Sequence, residues 1–97
     1  MRPLLDLAAV TEQLAQRSGW QISLDHKAIE KSFVFDTFPD AFSFMTQVAF
    51  WAECNDHHPD WRNVYNRVDV SLTTHDSGGL TQNDFDLAQK MDAVFDT

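Results

Sequence analysis

Positive charge is scarce in this 97-residue chain: seven lysines and arginines stand against fifteen aspartates and glutamates, for a formal charge of −8. The basic residues are also scattered, from Arg2 and Arg17 through Lys27, Lys31, Arg62 and Arg67 to Lys90. A chain that grips nucleic acid or an anionic membrane normally presents a basic face. Both partners are therefore disfavoured, and a small, weakly charged ligand or a protein partner is expected. Cysteine is nearly absent too. Cys54 alone cannot form an internal disulfide, which fits a reducing compartment. No apolar run approaches membrane-spanning length. The opening MRPLLDLAAV has too short an apolar run for a signal peptide and carries an acid inside it. The expectation is a cytoplasmic protein. Repeats, low-complexity tracts and linkers are missing, so residues 1–97 read as one domain.

What is present is ordinary in amount and informative in pattern. Hydrophobic residues make up 43% of the chain, and eight phenylalanines with three tryptophans supply large core pieces. A chain this small has room for one modest core, so assembly into a homo-oligomer, dimer or tetramer, is an expected extra source of stability. Leu4 to Arg17 places Leu7, Val10 and Leu14 at helical spacing, with Pro3 near the start and Gly19 past the end. WQISL alternates, with Trp20, Ile22 and Leu24 on one face. After the polar turn DHK, the strand AIEKSFVF puts Ile29, Phe33 and Phe35 on a shared side.

Thr37 and Asp40 then have capping-box spacing, with Pro39 suited to a first turn. Ala41, Met45, Val48 and Ala52 follow as an apolar stripe, widened by Phe42, Phe44, Ala49 and Trp51. That helix must stop before Pro59, with Asn55 supplying a left-handed turn. WRNVYN and RVDVSLTT read as strands, the latter with Val68, Val70 and Leu72 on one side. Thr81 and Asp84 cap a last helix, with Leu80 and Phe85 as its staple and Ala88, Met91 and Phe95 as its stripe. Strands that come in adjacent pairs with short links form antiparallel hairpins. The predicted architecture is α+β, a four-stranded antiparallel sheet with three helices on one face, in the order α-β-β-α-β-β-α.

The stretch DHHPDW, Asp56 to Trp61, carries the chemistry. Adjacent histidines are a poor way to build a core. His57 and His58 fall at the corner between the second helix and the third strand, and Glu53 lies one helical turn before His57. His75 follows the fourth strand, so a hairpin would return it toward the pair. If the strand period continued, His75 would share the side of Asp69, Ser71 and Thr73, facing away from the core. Asp84 opens the last helix and could be only its cap. Trp61 and Tyr65 are by default core or sheet-face aromatics. His57, His58, His75, Cys54, Asp56 and Asp60 include good zinc ligands, but adjacent residues rarely converge on one ion, and a second close ligand pair is lacking.

The run ECNDHHPDWRNVYNRVDVSLTTHDSGGLTQNDFDLA, Glu53 to Ala88, closely resembles the pterin-4a-carbinolamine dehydratase family. Glu53, His57-His58-Pro59, Tyr65, His75 and Asp84 fall at the family's spacing, and GW followed by IEKSFVF extends the likeness into the first half. The resemblance implies dehydration of 4a-hydroxytetrahydropterin to quinonoid dihydropterin, which recycles the pterin spent by aromatic amino acid hydroxylases. It implies no metal or organic cofactor, a four-stranded sheet with three helices on one side, and dimers or tetramers.

Imidazole suits such a reaction, because its ordinary pKa of ~6.5 allows it to give or take a proton near neutrality. The expected roles make His57 and His75 the acid–base pair, with His58 contacting and orienting the pterin. Glu53 and Asp84 orient imidazoles or accept pterin N–H groups, Pro59 stiffens the corner and Trp61 walls the pocket. A non-enzymatic dimerisation or stabilising partner of another protein, using Phe42, Phe44, Phe50 and Trp51, is the alternative. A zinc-binding module is a weaker third.

Overall fold

The computed structural model describes residues 2–97. Asp6, not Pro3, starts the first helix: its Oδ1 accepts from the Ala9 N–H at 2.8 Å, and α1 runs Leu7–Ala15. The expected span from Leu4 to Arg17 is thus trimmed at both ends. Leu4 and Leu5 lead in without helical structure, and the Leu5 N–H is taken by the Leu80 carbonyl at 2.9 Å. Of the expected stripe, Val10 is buried and Leu14 half-buried, while Leu7 is exposed.

β1 is only Gln21–Ile22. The predicted alternation holds for Trp20, which is buried, and Ile22, but fails at Leu24, which is fully exposed. The cause is the turn. Ser23 N–H bonds the Ala28 carbonyl at 2.8 Å, and His26 adopts a positive φ of 62°, so the chain reverses through Leu24 instead of extending it. Asp25 in this turn accepts from the Ser23 hydroxyl and the Lys27 N–H, which hold its carboxyl below the usual range.

β2 (Ile29–Val34) buries Ile29 and Phe33 and leaves Phe35 half-buried just beyond its end. Thr37 caps α2 (Phe38–Cys54) by accepting from the Asp40 N–H at 3.2 Å, though the reciprocal arm of the expected box is not formed. Ala41, Phe44, Val48 and Ala52 are its buried face. Phe44, at 2% exposure, and half-buried Trp51 therefore belong to the core, which leaves Phe38, Phe42 and Phe50 as the helix's exposed aromatics.

α2 ends at Asn55, which has φ −101°; the left-handed residue is Asp56, at φ 48°. An aspartate tolerates that conformation for the same reason as asparagine, a short polar side chain. β3 (Asp60–Val64) and β4 (Arg67–Leu72) close over a two-residue turn, with Tyr65 at φ 51°. α3 spans Gln82–Phe95 and carries both arms of the capping box between Thr81 and Asp84. The staple pair Leu80 and Phe85 is buried, as are Ala88 and Met91, while Phe95 lies at the rim.

All strand pairs are antiparallel, in the order β1-β2-β4-β3. The three helices cover one face, as the sequence pattern requires. Ile29, Phe33, Val68, Val70 and Leu72 from the sheet meet Val10, Phe44, Val48, Phe85, Leu87 and Met91 from the helices. A charged residue also sits on this covered face. Lys31 donates to Asp92 of α3 at 2.8 Å and to the Ser18 carbonyl at 3.0 Å, and its Nζ lies 4.8 Å from the Phe33 ring centre. Trp20 Nε1 donates to the same carboxylate at 3.0 Å. The contact ties β2, the α1–β1 loop and α3 together. It also explains Gly19, whose φ is 86° and where a Cβ would meet Lys31 Cε at 3.0 Å.

Replacing Phe33 by alanine removes a ring packed against Trp20, Phe44 and Phe95. It is expected to cost about 3–5 kcal/mol in urea unfolding. Leu24→Ala, at an exposed turn, is expected to stay within about 0.5 kcal/mol.

Candidate active site

Two local events bring the histidines together. First, the left-handed Asp56 turns the chain off α2, and the His57 N–H closes onto the Ala52 carbonyl at 3.0 Å. This swings His57 inward, to 5% exposure, and leaves His58 outward. Second, β4 does not continue its period to His75. Thr74 pairs with Gly79 across a single 3₁₀ turn, His75–Ser77, closed by Gly78 at φ 76°. His75 therefore stands exposed at the head of that turn instead of on the outer side of the strand. The result satisfies the expected convergence by a different route. His57, His58 and His75 line one cleft of about 260 Å³. Thr73, Thr74, Asp56, Asp76 and Arg2 complete its lining.

Behind His57 lies Asp84, with 0% exposure. Its Oδ1 is 2.6 Å from His57 Nε2. Its Oδ2 accepts from the Thr81 N–H at 2.9 Å and the Thr74 hydroxyl at 2.8 Å. The Thr74 proton is thereby committed, so Thr81 Oγ1, 2.6 Å away, donates to Thr74 Oγ1. An ionised carboxylate only accepts. His57 therefore directs a proton on Nε2 toward Asp84, and its Nδ1 faces the Arg2 guanidinium. Both Asp84 oxygens are occupied and enclosed. A buried carboxylate would be costly alone; here it is hydrogen-bonded on both sides and sits at a helix N-terminus, where negative charge is favoured.

The remaining candidates divide between two hollows. His58 Nε2 is 2.8 Å from Glu53 Oε1, with both side chains mostly exposed. A pair this open contributes little stability. Glu53, Pro59 and Trp61 line a second, more apolar hollow of about 540 Å³ with Ala49 and Phe50, and His58 borders both. Trp61 also packs on the core. Tyr65 lies in the β3–β4 turn, exposed, about five residues of strand, or ~17 Å, from the histidine corner. Among the described residues, no group of three or more histidines, cysteines, aspartates or glutamates is gathered for a metal ion.

Arg2 is the residue that sequence reasoning missed. Its Nη1 lies 3.5 Å from His57 Nδ1, and Nη2 donates to the Asn55 and Asp56 carbonyls at 3.3 and 3.4 Å. No spacing rule reaches across 55 positions, and Arg2 belongs to no motif.

Comparison with known proteins agrees with this geometry. The model of the family described as pterin 4 alpha carbinolamine dehydratase matches residues 3–94. A protein of Rhizobium meliloti (strain 1021), provisionally named pterin-4-alpha-carbinolamine dehydratase, is 57% identical over 93 residues, covering 95% of this chain and 89% of that one. A protein of Rhodospirillum rubrum with the same provisional name is 49% identical over 94 residues, covering 97% and 98%. The crystal structure of a Brucella melitensis protein described as a transcriptional coactivator/pterin dehydratase superposes with a TM-score of 0.92 at 46% identity, covering 95% of this chain and 98% of that one. A pterin dehydratase-like protein described as a RuBisCO assembly factor shares the fold, with a TM-score of 0.68 at 19% identity, covering 79% and 89%. With the match running nearly end to end and the histidines gathered in one cleft, the chain belongs to the pterin-4a-carbinolamine dehydratase family.

Proposed function

We propose that the chain dehydrates 4a-hydroxytetrahydropterin to quinonoid dihydropterin, acting in the cytoplasm and serving aromatic amino acid hydroxylases. One observation carries this reading: three imidazoles from two chain segments line a single cleft, and one of them is backed by a buried carboxylate. Family membership supplies the substrate class.

The reaction breaks the C4a–O bond, sends the oxygen off as water and removes the N5 proton as the C4a=N5 double bond forms. His57 suits the base. Asp84 holds its Nε2–H and steadies the imidazolium that forms when Nδ1 takes a proton. His75, exposed at the head of its turn, suits the acid that protonates the departing hydroxyl. His58, held by Glu53, orients the ring from the side shared with the second hollow, and Pro59 and Trp61 shape that side. None of these steps calls on a metal or an organic cofactor.

His57→Ala and His75→Ala are each expected to slow the loss of freshly generated carbinolamine, followed by its ultraviolet signal, by ~10²–10⁴-fold. Full turnover in both variants would overturn the assignment. Asp84→Ala strands the Thr81 N–H, the Thr74 hydroxyl and the His57 Nε2–H together. It is expected to cost about 3–5 kcal/mol in urea unfolding, and a loss below about 1 kcal/mol would contradict the network.

A second reading rests on a different observation. Phe38, Phe42 and Phe50 stand exposed on α2, with the Phe38 and Phe42 rings 5.9 Å apart. Contiguous exposed aromatics mark association surfaces. The face supports homo-oligomer assembly, or a stabilising role toward another protein. In sedimentation, the paired change Phe42→Ser and Phe50→Ser is expected to dissociate the oligomer to monomers. A wild-type chain that is already monomeric at tens of micromolar would exclude self-association through α2.

A further inference from the structure

In a chain of charge −8, the Arg2 guanidinium has no carboxylate within ion-pair distance among the described residues. Neutral acceptors surround it instead. Nη2 donates to the carbonyls of Asn55 and Asp56, the two residues that turn the chain into His57. With its amide oxygen facing Arg2, Asn83 accepts from Nε and from Nη2. Nη1 faces His57 Nδ1 at 3.5 Å. The backbone is fixed as well: Ser77 Oγ donates to the Arg2 carbonyl at 2.6 Å, and the Leu5 N–H bonds the Leu80 carbonyl at 2.9 Å. The N-terminal segment is thus strapped across the 3₁₀ turn that carries His75 and the corner that carries His57.

We infer that Arg2 is a positioning residue for His57, a role that rests on the reading of His57 as the base. A guanidinium only donates, so beside Nδ1 it is compatible with a lone pair there and opposes a proton there. Asp84 acts on the other nitrogen with the opposite charge. Together they fix the orientation of the ring, with Asp84 on Nε2 and Arg2 beside Nδ1. The other groups around the cleft are Asp56, Asp76, His58 and His75, and none of them bonds the His57 ring. The fork geometry matters, because it reaches two corner carbonyls and the ring at once. A lysine ammonium on a flexible stem does not reproduce that fork.

The test uses the full chain labelled with ¹⁵N-histidine, without ligand, at neutral pH. The wild type is expected to show His57 with Nε2 protonated and Nδ1 bare. Arg2→Ala and Arg2→Gln are expected to move the His57 Nδ1 resonance. In parallel, Arg2→Ala is expected to lower carbinolamine turnover by up to about 10²-fold, Arg2→Lys to recover only part of it, and added guanidinium ion to restore Arg2→Ala in part. Loss of packing alone would leave the Nδ1 signature unmoved and give no rescue. An unchanged His57 signature in both Arg2→Ala and Arg2→Gln overturns the proposal. A wild-type chain that fails to speed carbinolamine loss overturns the dehydratase reading instead, and the nitrogen signature still decides the role of Arg2.

Discussion

A carboxylate with no exposed surface governs this structure. Asp84 accepts from the Thr81 N–H, the Thr74 hydroxyl and the His57 ring. Those three donors come from the start of α3, the end of the sheet and the corner after α2. A buried charge is tolerated only when its bonds are all made, so the three segments are held to one mutual arrangement. The site is therefore built from the same bonds that cap a helix and close a sheet. Fold and proposed chemistry share one residue.

Around that anchor the local backbone decides which way each histidine faces. Asp56, in the left-handed region, sends His57 inward and His58 outward. The Thr74–Gly79 bridge ends the strand period and lifts His75 to the cleft's edge. His57 is thus shielded, with Asp84 on one nitrogen and Arg2 beside the other, while His75 stands exposed. Two imidazoles in such different settings are suited to different halves of one proton transfer cycle. His58 separates the polar cleft from the apolar hollow at the end of α2, and so touches both the proposed chemistry and the surface proposed for association.

Much of this was legible because the signals are local. The Thr81–Asp84 box, the alternation of Val68, Val70 and Leu72, and the spacing of Ala41, Val48 and Ala52 each lie within a few residues, where side-chain chemistry and backbone period decide the outcome. The likeness of Glu53 to Ala88 to a known family pointed to the candidate site residues. What escaped depends on backbone closure or on distance. Leu24 fits an alternating strand, but the Ser23–Ala28 bond turns the chain there first. The left-handed position fell at Asp56 and not Asn55, a one-residue choice that composition does not resolve. Phe44 and Phe42 look alike in sequence, yet one fills the core and the other faces outward. Arg2 meets His57 only because the folded chain returns its beginning to the corner after α2.

The decisive measurement is a crystal structure of this chain with an oxidised pterin bound. If the three imidazoles handle the protons of the ring, C4a and N5 will lie in the 260 Å³ cleft, within hydrogen-bond reach of His57 Nδ1 and of His75. A pterin seated against Ala49 and Phe50, or anywhere beyond reach of both His57 and His75, would contradict the dehydratase chemistry proposed for this cleft.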